Sequence, residues 1–205
     1  MAASMRLHYP FTGRWLVQNS PANRVPSHGT TLFAASYAID FVPVNDAGGT
    51  APITFATFVR SEPPENFPGF GRPLLAPIEG VVAAVHDSEP DHAAYRGLPS
   101  IGYAVTQPRR AEAGWAALAG NHLLIEGHGG VVALCHLQQG SIVVRPGQHV
   151  ATGQLVGRCG NSGNSTEPHV HVQAIDIRDV GKARAVPVTF SSALPRNGEV
   201  LDIPG

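Results

Sequence analysis

The chain has 205 residues, a formal net charge of −1, 43% hydrophobic and 14% charged residues. That length suits one domain with a substantial core, and a near-neutral balance with no basic run beyond Arg109-Arg110 argues against a nucleic-acid surface or a polybasic membrane patch. No apolar run approaches the roughly 20 residues needed to span a bilayer, and Met1 to Pro10 has one arginine with no apolar run behind it, so no signal peptide is read as written.

Glycine (23) and proline (18) are abundant, which predicts many turns and few long helices. Two cysteines, Cys135 and Cys159, are too few for a disulfide framework; one pair or two buried thiols are both open, and the thiol reading is preferred. In chain order, residues 1–24 read as an irregular lead-in with one short strand around Trp15-Leu16-Val17. Tyr37 to Val44 is strand-like, with Ala38, Asp40 and Val42 on one face and Ile39, Phe41 and Pro43 on the other. Asp40 is the anomaly, a carboxylate inside an apolar run. Ile53 to Val59 is a further β-rich run, and Gly71 to Val82 reads as two short strand pieces, the second continuing to His86.

Residues 87–120 carry the least pattern and are read as an insertion over one face. One short helix is expected at Ala111 to Ala119, interrupted by Gly114. His122 to Glu126, a turn at Gly127 to Gly130, and Val131 to Leu137 predict a hairpin. Short β signals follow at Ile142 to Arg145, His149-Val150 and Gln154 to Cys159. Asp176 to Gly181 is a turn, and a loose tail begins at Pro195. The fold class is therefore mainly β: an antiparallel sheet or sandwich with long loop insertions and little helix.

The most informative stretch is Gly160 to Gln173, a polar turn running through Pro168 into His-Val-His-Val-Gln. As a strand it places His169, His171 and Gln173 on one face, and Val170, Val172 and Ala174 toward a core. An H-x-H pair alone fits two solvated histidines as well as a metal ion. Three further groups strengthen the metal reading: His28, Asp40 and His136. Two imidazoles and a carboxylate carry one negative charge, which leaves Zn²⁺ net positive and able to bring a bound water to a pKa of about 7. Histidines outside such a ligand set can act as bases or polarise a carbonyl. A buried Asp40 satisfied only by backbone donors is the plainer alternative, but an unpaired buried charge is costly.

These pieces occur in an order that resembles the lysostaphin-like, LytM-type zinc endopeptidases of bacterial peptidoglycan. Gly71 to Val82 resembles the family's strand-turn-strand, and Gly120 to His128 its G-N-x-V-x-I-x-H strand. Ala133-Leu134-Cys135-His136-Leu137 stands where the family has Y-x-H-L. Val144 to Gly157 and Gly160 to Gln173 match its last two motifs. The resemblance covers roughly residues 25–177, leaving residues 178–205 as a C-terminal extension. It implies an antiparallel β core of the duplicated hybrid motif type, with the site in a groove floored by the sheet.

Carried over by position, the resemblance makes Asp40 and His171 ligands of one Zn²⁺ per chain. His136 and His169 would be catalytic, orienting water, accepting its proton and stabilising the oxyanion. The family pattern H-x-x-x-D is broken here, because Ser36 stands four residues before Asp40. The first ligand is then His28, twelve residues upstream, with His8 as fallback. Gln173, where the family often has glutamate, removes a charge beside the site.

His86, His92, His122, His128 and His149 are read as surface or turn histidines, with His122 or His128 as candidate groove residues. Asn161 and Asn164 are expected to hold the turn, Glu167 to be solvated, and Cys135, alternating with His136, to point away from the site. The resemblance implies a peptidoglycan peptide, or another peptide of small residues, as substrate, and a place in the cell envelope. The rival reading is a non-catalytic binding or regulatory module on the same fold. A carrier domain is discounted, since Lys182, the only lysine, lies outside the Val144 to Gly157 hairpin.

Overall fold

Alternating apolar residues in two central strands organise the whole structure, a computed structural model that describes residues 4–52, 55–191 and 193–205. The strands are β1 (Met5–Leu7), β2 (Gly13–Gln18), β3 (Ile39–Pro43), β4 (Pro73–Leu75), β5 (Gly80–His86), β6 (Asn121–Gly127), β7 (Gly130–Leu137), β8 (His149–Val150), β9 (Leu155–Arg158), β10 (Val170–Ile175), β11 (Ala185–Val186), β12 (Val188–Phe190) and β13 (Val200–Ile203). Three short helices, α1 (Leu98–Val105), α2 (Gln107–Glu112) and α3 (Trp115–Ala119), lie between β5 and β6.

Among the described residues, nine strands form one sheet in the order β13-β2-β3-β10-β7-β6-β5-β8, with β11 beside β10. Every pairing in it is antiparallel. Two small sheets accompany it, antiparallel β4-β9 and parallel β1-β12. The mainly β architecture with little helix is as the sequence predicts.

The period-two pattern assigns the two faces of the large sheet. Val17, Ile39, Phe41, Leu123, Ile125, Val132, Leu134, Val170 and Val172 share the main core, where Phe11 stacks on Trp15. On the opposite face Ala34, Leu124, Val131, Ala133, Cys135 and Ile175 form a second, smaller cluster. The side chains of Asp40 and His171, paired across β3 and β10, belong to this second face.

Several local expectations are corrected. The lead-in contains β1 in addition to the expected strand around Trp15-Leu16-Val17, which is β2, and the tail from Pro195 is not loose, because its residues 200–203 pair with β2 as β13. The β-rich run Ile53 to Val59 lies partly outside the described residues, and Phe55–Phe58 form a 3-10 helix. The physical reason is Arg96: its guanidinium donates to the Glu62 carboxylate and the Pro52 carbonyl, gathering this loop around a charge rather than a ladder. Ile142 to Arg145 is not a strand. The insertion holds three helices rather than one, and Gly114 (φ +99) separates α2 from α3.

Candidate metal centre and active site

Three distant segments deliver one group each to the second face of the sheet. Asp40 comes from the middle of β3, His171 from β10 directly opposite it, and His28 from the loop that precedes β3. One nitrogen from each histidine and one Asp40 oxygen lie within 4.8 Å of one another. His28 Nε2 is 3.0 Å from Asp40 Oδ2, and His171 Nδ1 is 2.9 Å from Asp40 Oδ1. The seven residues from Thr30 to Ser36 form a loop with 3-10 turns, so the missing short H-x-x-x-D spacing is compensated by chain that folds His28 back toward Asp40. His8 is exposed and does not join this cluster.

Each of the three groups is oriented by a second partner, as metal ligands generally are. Ser27 Oγ lies 3.0 Å from His28 Nδ1, and Gln173 Oε1 lies 2.9 Å from His171 Nε2. Asn19 donates to Asp40 Oδ2 at 2.7 Å. The donor set and its supports therefore fit a cation of the zinc type, which takes imidazole nitrogen and carboxylate oxygen and keeps a position open for water.

The electrostatics agree with that fit. Burial works against ionisation of Asp40, yet His28, His171 and His169 outweigh it and hold its carboxyl well below the usual range. Burial likewise disfavours the charged His171, but its hydrogen bond to Asp40 prevails and raises its pKa. The pair is held as a carboxylate beside a ring that favours positive charge.

His136 and His169 stand beside this cluster, their ring centroids 4.6 Å apart. His169 Nδ1 faces Glu167 O (2.8 Å) and Ser165 Oγ (2.9 Å), while Ser165 Oγ donates to Glu167 O. A carbonyl only accepts, so Nδ1 carries the proton and Nε2 is left for the groove. His136 Nδ1 donates to Ser162 O at 2.9 Å, which again leaves Nε2. Burial, then His169 and His171, push the His136 pKa well below its usual value. It is a neutral imidazole at pH 7.

His136 reaches the groove through a break in the pleat. From Asn121 to His122, β6 advances one residue while its β7 partner moves from Leu137 to Cys135, so His136 is the extra residue of a bulge. Its φ is +65°, a left-handed conformation rare for a histidine. Cys135 is therefore not turned away as alternation predicts. It pairs with His171, belongs to the second-face cluster and lines the groove, buried and free, with its thiol pKa pushed far up by burial.

The groove has a volume of about 820 Å³. Besides the five histidine and aspartate groups, it is lined by Asn19, Phe33, Trp115, Leu118, Asn164 and Glu167. The insertion thus supplies one wall. It is tied to the 160–166 turn by Arg110 Nε to Asn164 Oδ1 (2.8 Å), by Asn161 Nδ2 to the His92 carbonyl (2.8 Å), and by Asn164 N to the Leu118 carbonyl (2.8 Å). Gly120 and Gly163, both at positive φ, meet so closely there that neither could carry a Cβ. The side chains of Asn161 and Asn164 therefore clamp the turn to the insertion.

Glu167 is not the solvated residue expected: it lines the groove with Oε2 buried. His122 is buried, bonded to the Gly120 carbonyl and packed edge-on against Trp115. Asn19 and the double contact of Gln173 were missed. Asn19 left no sequence signal beyond asparagine's tolerance of the left-handed conformation it adopts.

Residues 102–183 match the family profile described as Peptidase family M23. A curated relative, peptidoglycan DD-endopeptidase ShyA of Vibrio cholerae, is 33% identical over 78 residues, which is 38% of this chain and 18% of the relative. The chain thus spans less than a fifth of that relative's length. Among solved structures, the M23 metalloprotease pseudoalterin from the deep sea aligns over 98% of this chain and 96% of its own, at 14% identity and TM-score 0.48. The catalytic domain of the antimicrobial peptidase lysostaphin from Staphylococcus simulans aligns over 90% and 95%, at 14% identity and TM-score 0.42.

Proposed function

We propose that the chain, whose residues 102–183 match the profile of Peptidase family M23, is a zinc-dependent endopeptidase of that family. The substrate we assign is a peptide of peptidoglycan, a cross-link or stem, cut beside small flexible residues such as glycine or D-alanine. The observation that carries the proposal is the convergence of His28, Asp40 and His171 within 4.8 Å in the floor of an open groove.

His28 Nε2, His171 Nδ1 and an Asp40 oxygen would hold the ion. When bound, Zn²⁺ lowers the pKa of a coordinated water to about 7 and polarises a peptide carbonyl. The protein's own work is to place the peptide and handle protons. His136, kept neutral by its buried site, accepts a hydrogen bond through Nε2 and orients the attacking water. His169, anchored through Nδ1 by Ser165 and Glu167, takes the proton on Nε2 and returns it to the leaving amine. General acid–base help of this kind contributes about 10²–10⁴-fold. A peptidoglycan substrate places the working enzyme in the cell envelope; among the described residues no helix is long and apolar enough to cross a membrane.

The test is metal content and hydrolysis measured together. The wild type should purify with one zinc per chain and release muropeptides from isolated peptidoglycan. His28→Ala, Asp40→Ala and His171→Ala should lose both properties. Absence of zinc in the wild type after reconstitution would overturn the reading. Full hydrolysis by His136→Ala and His169→Ala would remove the roles given to those residues. Binding of peptidoglycan without cleavage by the zinc-loaded wild type would favour a binding module.

A further inference from the structure

Gln173 is 2% exposed and touches two parts of the site at once. Its Oε1 lies 2.9 Å from His171 Nε2, and its Nε2 donates to the Phe33 carbonyl at 3.1 Å. Only one amide orientation satisfies both contacts. The Phe33 carbonyl accepts and cannot donate, so the NH₂ must face it, and the amide oxygen must then accept from His171 Nε2–H. That bond keeps the proton on Nε2 and leaves Nδ1 as the nitrogen facing Asp40.

The other end of the bridge holds a segment that needs holding. Phe33 (φ 52°) and Ala34 (φ 59°) are consecutive non-glycine residues in the left-handed region, which L residues avoid. Leu32, Phe33 and Ala35 form part of the groove wall. They belong to the long loop between His28 and Asp40.

We infer that Gln173 is a positioning residue that couples cation binding at His171 to the conformation of the 31–37 wall. The inference rests on the metal-centre reading of His171. It also explains why an amide stands here. A glutamate could accept from His171, but would turn carboxylate lone pairs toward the Phe33 carbonyl. A methionine could do neither.

Two variants of the full chain separate the two bonds. Zinc affinity is measured by competition with a chromophoric chelator, and hydrogen exchange of residues 31–38 is followed with and without zinc. Gln173→Glu should keep wild-type zinc affinity but exchange at 31–38 faster, and zinc should no longer slow that exchange as it does in the wild type. Gln173→Met should lose both, with zinc affinity falling about 10–100-fold; restoration of affinity but not of protection by glutamate is the signature of the bridge. Wild-type exchange in Gln173→Glu, or equal slowing by zinc in both proteins, would overturn the inference. If the wild type took up no zinc, the proposed function would fall, while exchange in the metal-free proteins would still decide whether the bridge holds the wall. Should Gln173→Met fail to fold, the near-isosteric glutamate variant decides alone.

Discussion

Strands β10 and β7 lie side by side and both send histidines into the same groove, but by different means. In β10 the pleat is unbroken, so His171 and Gln173 reach the groove while Val172 and Ala174 sink into the core. In β7 the pleat serves Ala133 and Cys135, and the next residue arrives only because the strand bulges. A pleat places a ligand at no backbone cost once register is set. A left-handed non-glycine residue costs about 1–2 kcal/mol, met here by the Ser162 contact and by the packing around His136. The metal-ligand candidate His171 sits on the regular element, and the water-orienting candidate His136 sits on the strained one, as is common for strain at functional positions.

The largest expected effect tests that division. His171→Ala should abolish zinc binding, while His136→Ala should keep zinc and lower kcat by about 10²–10⁴-fold. Metal analysis and steady-state kinetics on the same preparations check both.

Acid should distinguish the strands next. The folded-state pKa of His136 is depressed, by burial first, below the ordinary value of about 6.5. Below that pH the unfolded chain binds more protons, so this group's contribution, full above it, is lost as pH falls, at up to about 1.4 kcal/mol per pH unit. His122, also depressed by burial, adds the same sign. His171 has the opposite sign: its pKa is raised, so its contribution is full below about 6.5 and is lost as pH rises through the folded value. Thermal denaturation of chelated protein between pH 7 and 5 should thus show a shallower acid loss for His136→Asn than for the wild type, and a steeper one for His171→Asn.

The smallest effect is the most specific to the backbone. His136→Gly should be more stable than His136→Ala by about 1 kcal/mol, because alanine inherits the positive φ and glycine does not resent it. At His171 the order should reverse by roughly 0.5–1 kcal/mol, since glycine in a regular strand is only an entropic loss. Urea unfolding of the four variants measures both differences.

The same contrast explains what could be read from sequence. Period-two patterns gave Asp40 on β3, His171 on β10 and the 121–137 hairpin, because each is a local consequence of alternation. The bulge at His136 had no such mark: no glycine flags it, and strict alternation turned Cys135 the wrong way. His28 was reached through a resemblance that tolerated a long loop, but the left-handed turn at Phe33–Ala34 and its bond to Gln173 are long-range facts with no periodic signature. The 3-10 helix at Phe55–Phe58 was misread for a related reason, since its organiser, Arg96, lies far along the chain.

The pairing of β13 with β2 bears on solubility. Beneath it, Ser20 bonds to Pro195 O and Asn197 Oδ1, and Asn197 N to Asn23 Oδ1, fastening the turn that follows Asn19. Were residues 195–205 removed, the six-residue strand β2, carrying Trp15, Leu16 and Val17, would become an uncovered edge with its amides and carbonyls facing outward, the arrangement that recruits strands from other molecules. A shortened chain would be expected to self-associate before it unfolded, with size-exclusion chromatography registering the change ahead of circular dichroism. In this reading the last strand acts as a sheath that keeps copies of the molecule apart.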